Sequence, residues 1–193
     1  RKGRGDFSRV ASLRGIYVAN IIVPPNDDVI TAITYDMGGR WDFLRMPQGL
    51  ESECNSSTPY FCGLHFLGRS NDGVGEAPYS AAGAIGLAMG TGNIGEYLNV
   101  TNIEKLGTYL TRDGGVTWKR IATGNNVYAM ADRGAVVMWA RSQQSYGEVY
   151  WSWDEGKSSS ACAFGVLGNQ SVNTLSSSPS RDGLHIHMLT QTS

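Results

Sequence analysis

The side chains with the strongest claim to chemistry are three aspartates in related settings. Thr34-Tyr35-Asp36-Met37-Gly38-Gly39-Arg40-Trp41 aligns with Thr111-Arg112-Asp113-Gly114-Gly115-Val116-Thr117-Trp118. Ser152-Trp153-Asp154-Glu155-Gly156-Lys157-Ser158 is a degenerate third copy, with Ser159 where the tryptophan falls. Two carboxyl groups held roughly 5 to 10 Å apart could do glycosidic acid/base work. The pattern Ser/Thr-x-Asp-x-Gly-x-Thr-Trp predicts something else: an Asp box, a hairpin turn whose aspartate accepts backbone N–H groups. The glycine takes positive φ and the aromatic ring covers the turn. On this reading Asp36, Gly38, Trp41, Asp113, Gly115, Thr117, Trp118, Asp154 and Gly156 are structural. Turns from different repeats lie too far apart to pair their carboxylates.

Other clusters are weaker. Gly90-Thr91-Gly92-Asn93-Ile94-Gly95 fits the spacing of a dinucleotide-binding turn, which needs a strand before it and a helix after it. The following residues carry no helical stripe, so a glycine-rich turn is expected and no cofactor. His185 and His187 fall on one face of an expected strand, but no third ligand accompanies them and no metal site is expected. Arg4-Gly5-Asp6 matches an adhesion tripeptide and nothing around it adds weight. Cys54 and Cys62 bracket a short polar loop, while Cys162 stands alone. In an oxidising compartment this pattern gives one local bridge plus a cysteine whose partner lies elsewhere; in the cytosol all three are free thiols. Sequons at Asn55, Asn99 and Asn169 favour the secretory route as possible N-glycosylation sites.

The elements that carry these residues are strands. The chain has 193 residues, 16 basic and 17 acidic, for a formal charge of −1. That balance argues against nucleic acid or an anionic membrane as the main partner. Hydrophobics at 41% against 17% charged residues describe a folded chain, and the 25 glycines read as frequent turns. No helical window survives; the best, 99–110, is cut by Gly107. Short runs rich in β-branched and aromatic residues recur instead, such as GIYVANIIV, VITAITYD, NVYAMAD and AVVMWAR, separated by Gly, Asn or Asp. The fold class is all-β. Asp113 and Asp154 lie 41 residues apart and Asp36 and Asp113 lie 77 apart. The first interval is one propeller blade of about 40 to 50 residues; the second is one blade with insertions at 45–62 and 68–83. The blades are expected at 6–45, 60–123 and 126–166, with a partial blade at 171–191. That makes about three and a half four-stranded blades, a fragment of a larger β-propeller. No apolar run of about 18 residues is present to span a bilayer. The opening Arg1-Lys2-Gly3-Arg4 has no signal-peptide character and reads as the middle of a longer chain.

Several stretches together carry a resemblance. DFSRVASLRGIYVANII, VITAITYDMGGRWDFLRMP, the cysteine-bracketed loop running into CGLHF, LTRDGGVTW, NVYAMADRGAVVMWA and YWSWDEG follow one another as in sortilin and the vacuolar-protein-sorting receptors. Leu13-Arg14-Gly15, the Asp36–Trp41 box and the Cys54/Cys62 loop are the specific part. The resemblance implies the last four blades of a ten-bladed luminal propeller. The implied function is a type I membrane receptor, not an enzyme, carrying cargo between the Golgi and endosomes or lysosome-like organelles. Cargo proteins or peptides would sit in the propeller tunnel, with the rest of the blades as further partners and the membrane reached only through a segment outside this chain. It supplies no ligand-contact residue here. It also implies that Cys162 bridges to a cysteine outside this chain, fastening the ring; if the match is shifted, Cys162 is a small buried residue of its strand. Ser159 and the offset of Cys162 are the departures. The alternatives are an Asp-box propeller enzyme of sialidase or glycosidase type and a non-catalytic scaffold. A sialidase needs an arginine cluster with a Tyr/Glu pair, and no arrangement of arginines here picks one out.

Overall fold

The computed structural model describes residues 6–54, 62–68, 77–142, 147–164, 170–178 and 185–192. Asn55, Asn169 and the Arg4-Gly5 part of the tripeptide lie outside them. Among the described residues the chain is all strand and turn, with three short 3-10 turns at Glu51–Glu53, Ile103–Lys105 and Asp132–Gly134. No helix among the described residues is long and apolar enough to cross a membrane.

Strands β1 (Phe7–Arg9), β2 (Tyr17–Val23), β3 (Asp28–Thr34) and β4 (Asp42–Phe43) form the first antiparallel sheet in chain order. The second holds β5 (Gly63–Phe66), β6 (Ala88–Gly95), β7 (Gly107–Thr111) and β8 (Lys119–Thr123). The third holds β9 (Asn126–Ala131), β10 (Val136–Arg141), β11 (Glu148–Ser152) and β12 (Ser160–Ala163). A two-stranded sheet follows, β13 (Gln170–Ser177) with β14 (Ile186–Thr192). Hairpin connections between neighbours give each sheet its up-and-down order.

Successive sheets stack face to face, and alternate residues of one strand serve two different cores. Ala88 and Tyr109 join Val18, Ile33, Phe66 and Trp118 between the first and second sheets. Their neighbours Met89 and Leu110 join Tyr128, Met130, Val137 and Trp139 between the second and third. Val127 and Ala129 face the other way, onto Val172 and Leu175 of the fourth. Period-two alternation thus separates one core from the next, and not core from water. Stacked four-stranded antiparallel sheets of this kind make a β-propeller fragment.

One expectation is overturned. Gly90–Gly95 is not a turn but the body of β6. A Cβ on Gly90 would stand 2.6 Å from the Phe66 ring, and one on Gly92 would collide with the His65 carbonyl. The glycines let β5 and its aromatic ring press onto β6, a close approach that glycine alone permits.

Candidate functional site

The three box turns share one geometry. Thr34 Oγ1 donates to Asp36 Oδ1 at 2.8 Å and accepts from the Gly38 N–H at 2.9 Å, while Arg40 N–H donates to Asp36 Oδ1 at 2.9 Å. In the second copy Thr111 Oγ1 bonds Asp113 at 2.7 Å and receives Gly115 N–H at 2.9 Å. Thr117 adds its N–H at 2.9 Å and its hydroxyl at 2.5 Å to the two oxygens of Asp113. Ser152, Asp154, Gly156 and Ser158 repeat the scheme at 2.7–2.8 Å. Each turn needs two consecutive left-handed residues: Met37-Gly38, Gly114-Gly115 and Glu155-Gly156 all have positive φ, the signature of a type I′ hairpin turn.

These bonds fix the electrostatics. The Arg40 N–H, followed by the Thr34 hydroxyl, holds the Asp36 carboxyl below its ordinary value. Burial pushes Asp113 upward, but the Thr117 and Thr111 bonds outweigh it and the net shift is downward. Ser158, first through its N–H and then its hydroxyl, lowers Asp154 strongly. A general acid needs the opposite, a carboxyl held protonated near neutral pH. The box carboxylates are anionic and engaged within their own turns.

The aromatic position varies. Trp118 is buried, donates Nε1–H to the Gly115 carbonyl at 3.1 Å, and meets Phe66 edge-on at 4.7 Å. Trp41 is half-buried and 6.4 Å from Phe7. Ser159 is exposed and covers nothing. The glycines also face the neighbouring sheet. A Cβ on Gly115 would run into Ile33 of the first sheet, and one on Gly156 into Leu110 of the second. Ile33 and Leu110 each precede the box threonine of their own sheet, so the second and third box turns each seat the sheet before them. Gly38 has only Trp41 within 4 Å.

Sequence reasoning missed a buried polar seam between the first two sheets. The Thr31 hydroxyl donates to Asn20 Oδ1 at 2.7 Å and accepts the Phe66 N–H at 2.8 Å, and Asn20 Nδ2 donates to the Phe66 carbonyl at 3.0 Å. Thr31 N–H donates to His65 Nδ1 at 3.1 Å, and the Gly95 carbonyl lies 2.9 Å from Nε2. Because Nδ1 accepts, the proton sits on Nε2 and the ring is neutral. Burial lowers the His65 pKa, with the Gly95 carbonyl opposing it. Between the second and third sheets Thr108 occupies the equivalent place, receiving Asn126 Nδ2 at 3.0 Å and lying 3.2 Å from the Thr91 hydroxyl. Thr31 and Thr108 both stand three residues before a box threonine. Extending the repeat alignment upstream would have paired them.

An open groove of about 560 Å³ lies beside β6 and β8, with Tyr97, Asn99, Lys105, Glu53 and Arg120 among its walls. Glu53 and Arg120 pair across it at 2.5 Å. Burial raises the nearby Tyr109 hydroxyl to about 12, so it stays protonated. Cys54 and Cys62 form a disulfide with Cα atoms 6.0 Å apart. Cys162 is a free, exposed cysteine on β12, not a buried filler of its strand, because β12 is the uncovered edge of its sheet. His185 and His187 are exposed, and no cluster of three or more His, Cys, Asp or Glu able to hold a metal occurs among the described residues.

Fold and turns together define a class: a β-propeller segment whose conspicuous carboxylates are hydrogen-bonded within their own hairpin turns. Residues 1–191 match the family model described as "Sortilin, neurotensin receptor 3". Vacuolar protein sorting/targeting protein 10 of Debaryomyces hansenii is 32% identical over 164 residues, covering 81% of this chain and 10% of that protein. Its counterpart in Mycosarcoma maydis is 31% identical over 85% of this chain and 11% of the relative. That of Emericella nidulans is 33% identical over 80% and 12%. The chain belongs to the sortilin/Vps10 family, and it spans about a tenth of the length of the curated relatives it matches. Among solved structures, the GH74 xyloglucanase from Xanthomonas campestris is similar with a TM-score of 0.49 and 11% identity, over 89% of this chain and 25% of that one.

Proposed function

We propose that this chain is part of the luminal, cargo-binding β-propeller of a sortilin-type sorting receptor. The receptor moves proteins from the Golgi to endosomes and a vacuole-like organelle as a type I membrane protein, anchored through a segment outside this chain. The observation that carries the reading is the family match over residues 1–191, on a chain whose box carboxylates are anionic and engaged in turns. The role is binding, with no catalytic residue and no cofactor. The three four-stranded sheets serve as blades at about 6–45, 60–123 and 126–166, with a partial blade at 171–191, within a ten-bladed ring.

The uncovered side of the first sheet supports further blades as partners. Phe7 and Phe43 are 53% and 66% exposed there, and Gly38 lacks the aliphatic neighbour that Gly115 and Gly156 have. Cys162, exposed on an edge strand, suits a bridge to a cysteine outside this chain that fastens the ring. Cargo proteins or peptides bind in the tunnel that the ring encloses.

The test is a sorting assay on cells lacking the receptor. A luminal vacuolar hydrolase should be secreted into the medium, and the intact receptor should restore retention. Normal retention without the receptor, or turnover of sialosides or β-glucans by the purified protein, would overturn the proposal.

A further inference from the structure

The Asn99 loop departs from an ordinary surface turn in three ways. First, it is rigidly held. Asn93, buried on β6, donates Nδ2 to the Tyr97 carbonyl at 3.0 Å and accepts Asn99 N–H on Oδ1 at 2.9 Å. Leu98 N–H reaches the Val29 carbonyl of the first sheet at 2.7 Å. Second, the sequon Asn99-Val100-Thr101 is folded on itself. Thr101 gives Asn99 Oδ1 both its N–H at 3.0 Å and its hydroxyl at 2.6 Å. The carboxamide oxygen is thereby saturated, while Nδ2 of the exposed Asn99 bonds no described atom. Third, an aromatic ring stands two residues before it. Tyr97 is 42% exposed and lines the same groove as Asn99.

We propose that Asn99 carries an N-linked glycan whose first N-acetylglucosamine packs on Tyr97 along this groove. The attachment is a transfer from a lipid diphosphate-linked oligosaccharide. Asn99 Nδ2 forms a bond to C1 of the sugar as the C1–O bond to the diphosphate breaks. The lipid diphosphate leaves with the bonding electrons, and Nδ2 gives up one proton to the transferase. The Asx turn then keeps the modified nitrogen turned away from the loop's own hydrogen bonds. The apolar face of a pyranose, with its axial C–H bonds, meets an aromatic face as any apolar group does, against the negative side of the ring. The groove, about 560 Å³ in volume, has room for one or two sugar residues and polar walls to receive their hydroxyls.

The inference rests on the luminal reading above. The protein is expressed through a eukaryotic secretory pathway, and its peptides are treated with peptide-N-glycosidase in heavy-oxygen water. The peptide bearing Asn99 should return labelled aspartate in place of asparagine. Asn99→Gln and Thr101→Ala should abolish the label, and Thr101→Ser should keep it. Enzymatic removal of the glycan should lower Tm in the wild type, and this decrement should shrink in Tyr97→Phe less than in Tyr97→Ala. An unlabelled Asn99 in protein whose Cys54–Cys62 bridge has formed would overturn the glycan while leaving the luminal reading intact. An unlabelled Asn99 with both cysteines free would overturn the two together. Equal decrements in wild type and Tyr97→Ala would overturn the packing on Tyr97.

Discussion

Acidification should weaken the junction between the first two sheets through one residue, His65. The ring is 3% exposed, and Nδ1 must be unprotonated to accept the Thr31 N–H. A proton on Nδ1 would set two donors against each other in a buried site. Burial therefore holds the folded pKa below the ordinary 6.5. The unfolded chain then binds more protons than the folded one as pH falls through that ordinary value. Stability contributed by neutral His65 is complete above it, declines below it, and is fully lost once pH has passed the folded pKa. If the folded ring stays neutral throughout, a drop from about pH 7.5 to about pH 5.5 removes about 1.4 kcal/mol, one pKa unit's worth. The depressed box carboxylates act elsewhere. Their contribution is present above the ordinary carboxyl range and is lost only as pH falls through their lowered values.

The chain has three histidines, so a His185→Gln/His187→Gln background leaves His65 as the sole imidazole. Urea melts of this variant across the pH range should show the loss, and the same melts after His65→Gln should be flat. Nitrogen chemical shifts of the ring should report an Nε2–H tautomer. Equal slopes with and without His65, or a folded ring titrating at the ordinary value, would refute the reasoning.

Asp113→Ala strands the Thr117 N–H and the Thr111 hydroxyl; because the turn is solvent-exposed, the expected cost is about 1–2 kcal/mol by chemical denaturation, with cargo binding unchanged. A variant with wild-type stability but lost binding would contradict the structural role of the boxes. Gly115→Ala puts a methyl group into Ile33 at a φ of +97°, so a loss of about 2–4 kcal/mol is expected from overpacking and backbone strain. An unchanged melting temperature would show that the box glycine does not seat the preceding sheet. Cys54→Ser should cost about 2–3 kcal/mol through the freed loop entropy, read as a melting difference that reductant abolishes in the wild type.

The all-β architecture was legible because short β-branched runs broken by Gly, Asn and Asp have one common solution. The box turns were legible because their bonds span at most four residues, from Asp36 to Arg40 and from Asp113 to Thr117. The seam around His65 was not, since its partners Thr31 and Gly95 lie 34 and 30 residues away. No local pattern announces such a pairing, and a histidine in an apolar run is ordinarily a satisfied one. β6 was misread for a related reason. Glycine there answers to a neighbouring strand and ring, whereas in a lone sequence it announces a turn.

The repeat register explains why the three junctions differ. Counting back three residues from Thr34, Thr111 and Ser152 gives Thr31, Thr108 and Val149. The two threonines each sit in a polar seam, with Asn20 and His65 in one case and Asn126 in the other. Val149 instead joins Val127, Ala129, Ala140, Val172 and Leu175 in an apolar contact. The third box has also lost its tryptophan. Buried polar groups add specificity when every partner is present, but each becomes costly if its neighbour shifts. Apolar contact tolerates displacement because it depends on area removed from water and not on alignment. The first two junctions are therefore keyed to one relative placement of their sheets. The third is held by apolar burial together with a parallel backbone bridge between Ser142 and Val172, neither of which needs a buried side-chain hydrogen bond to align.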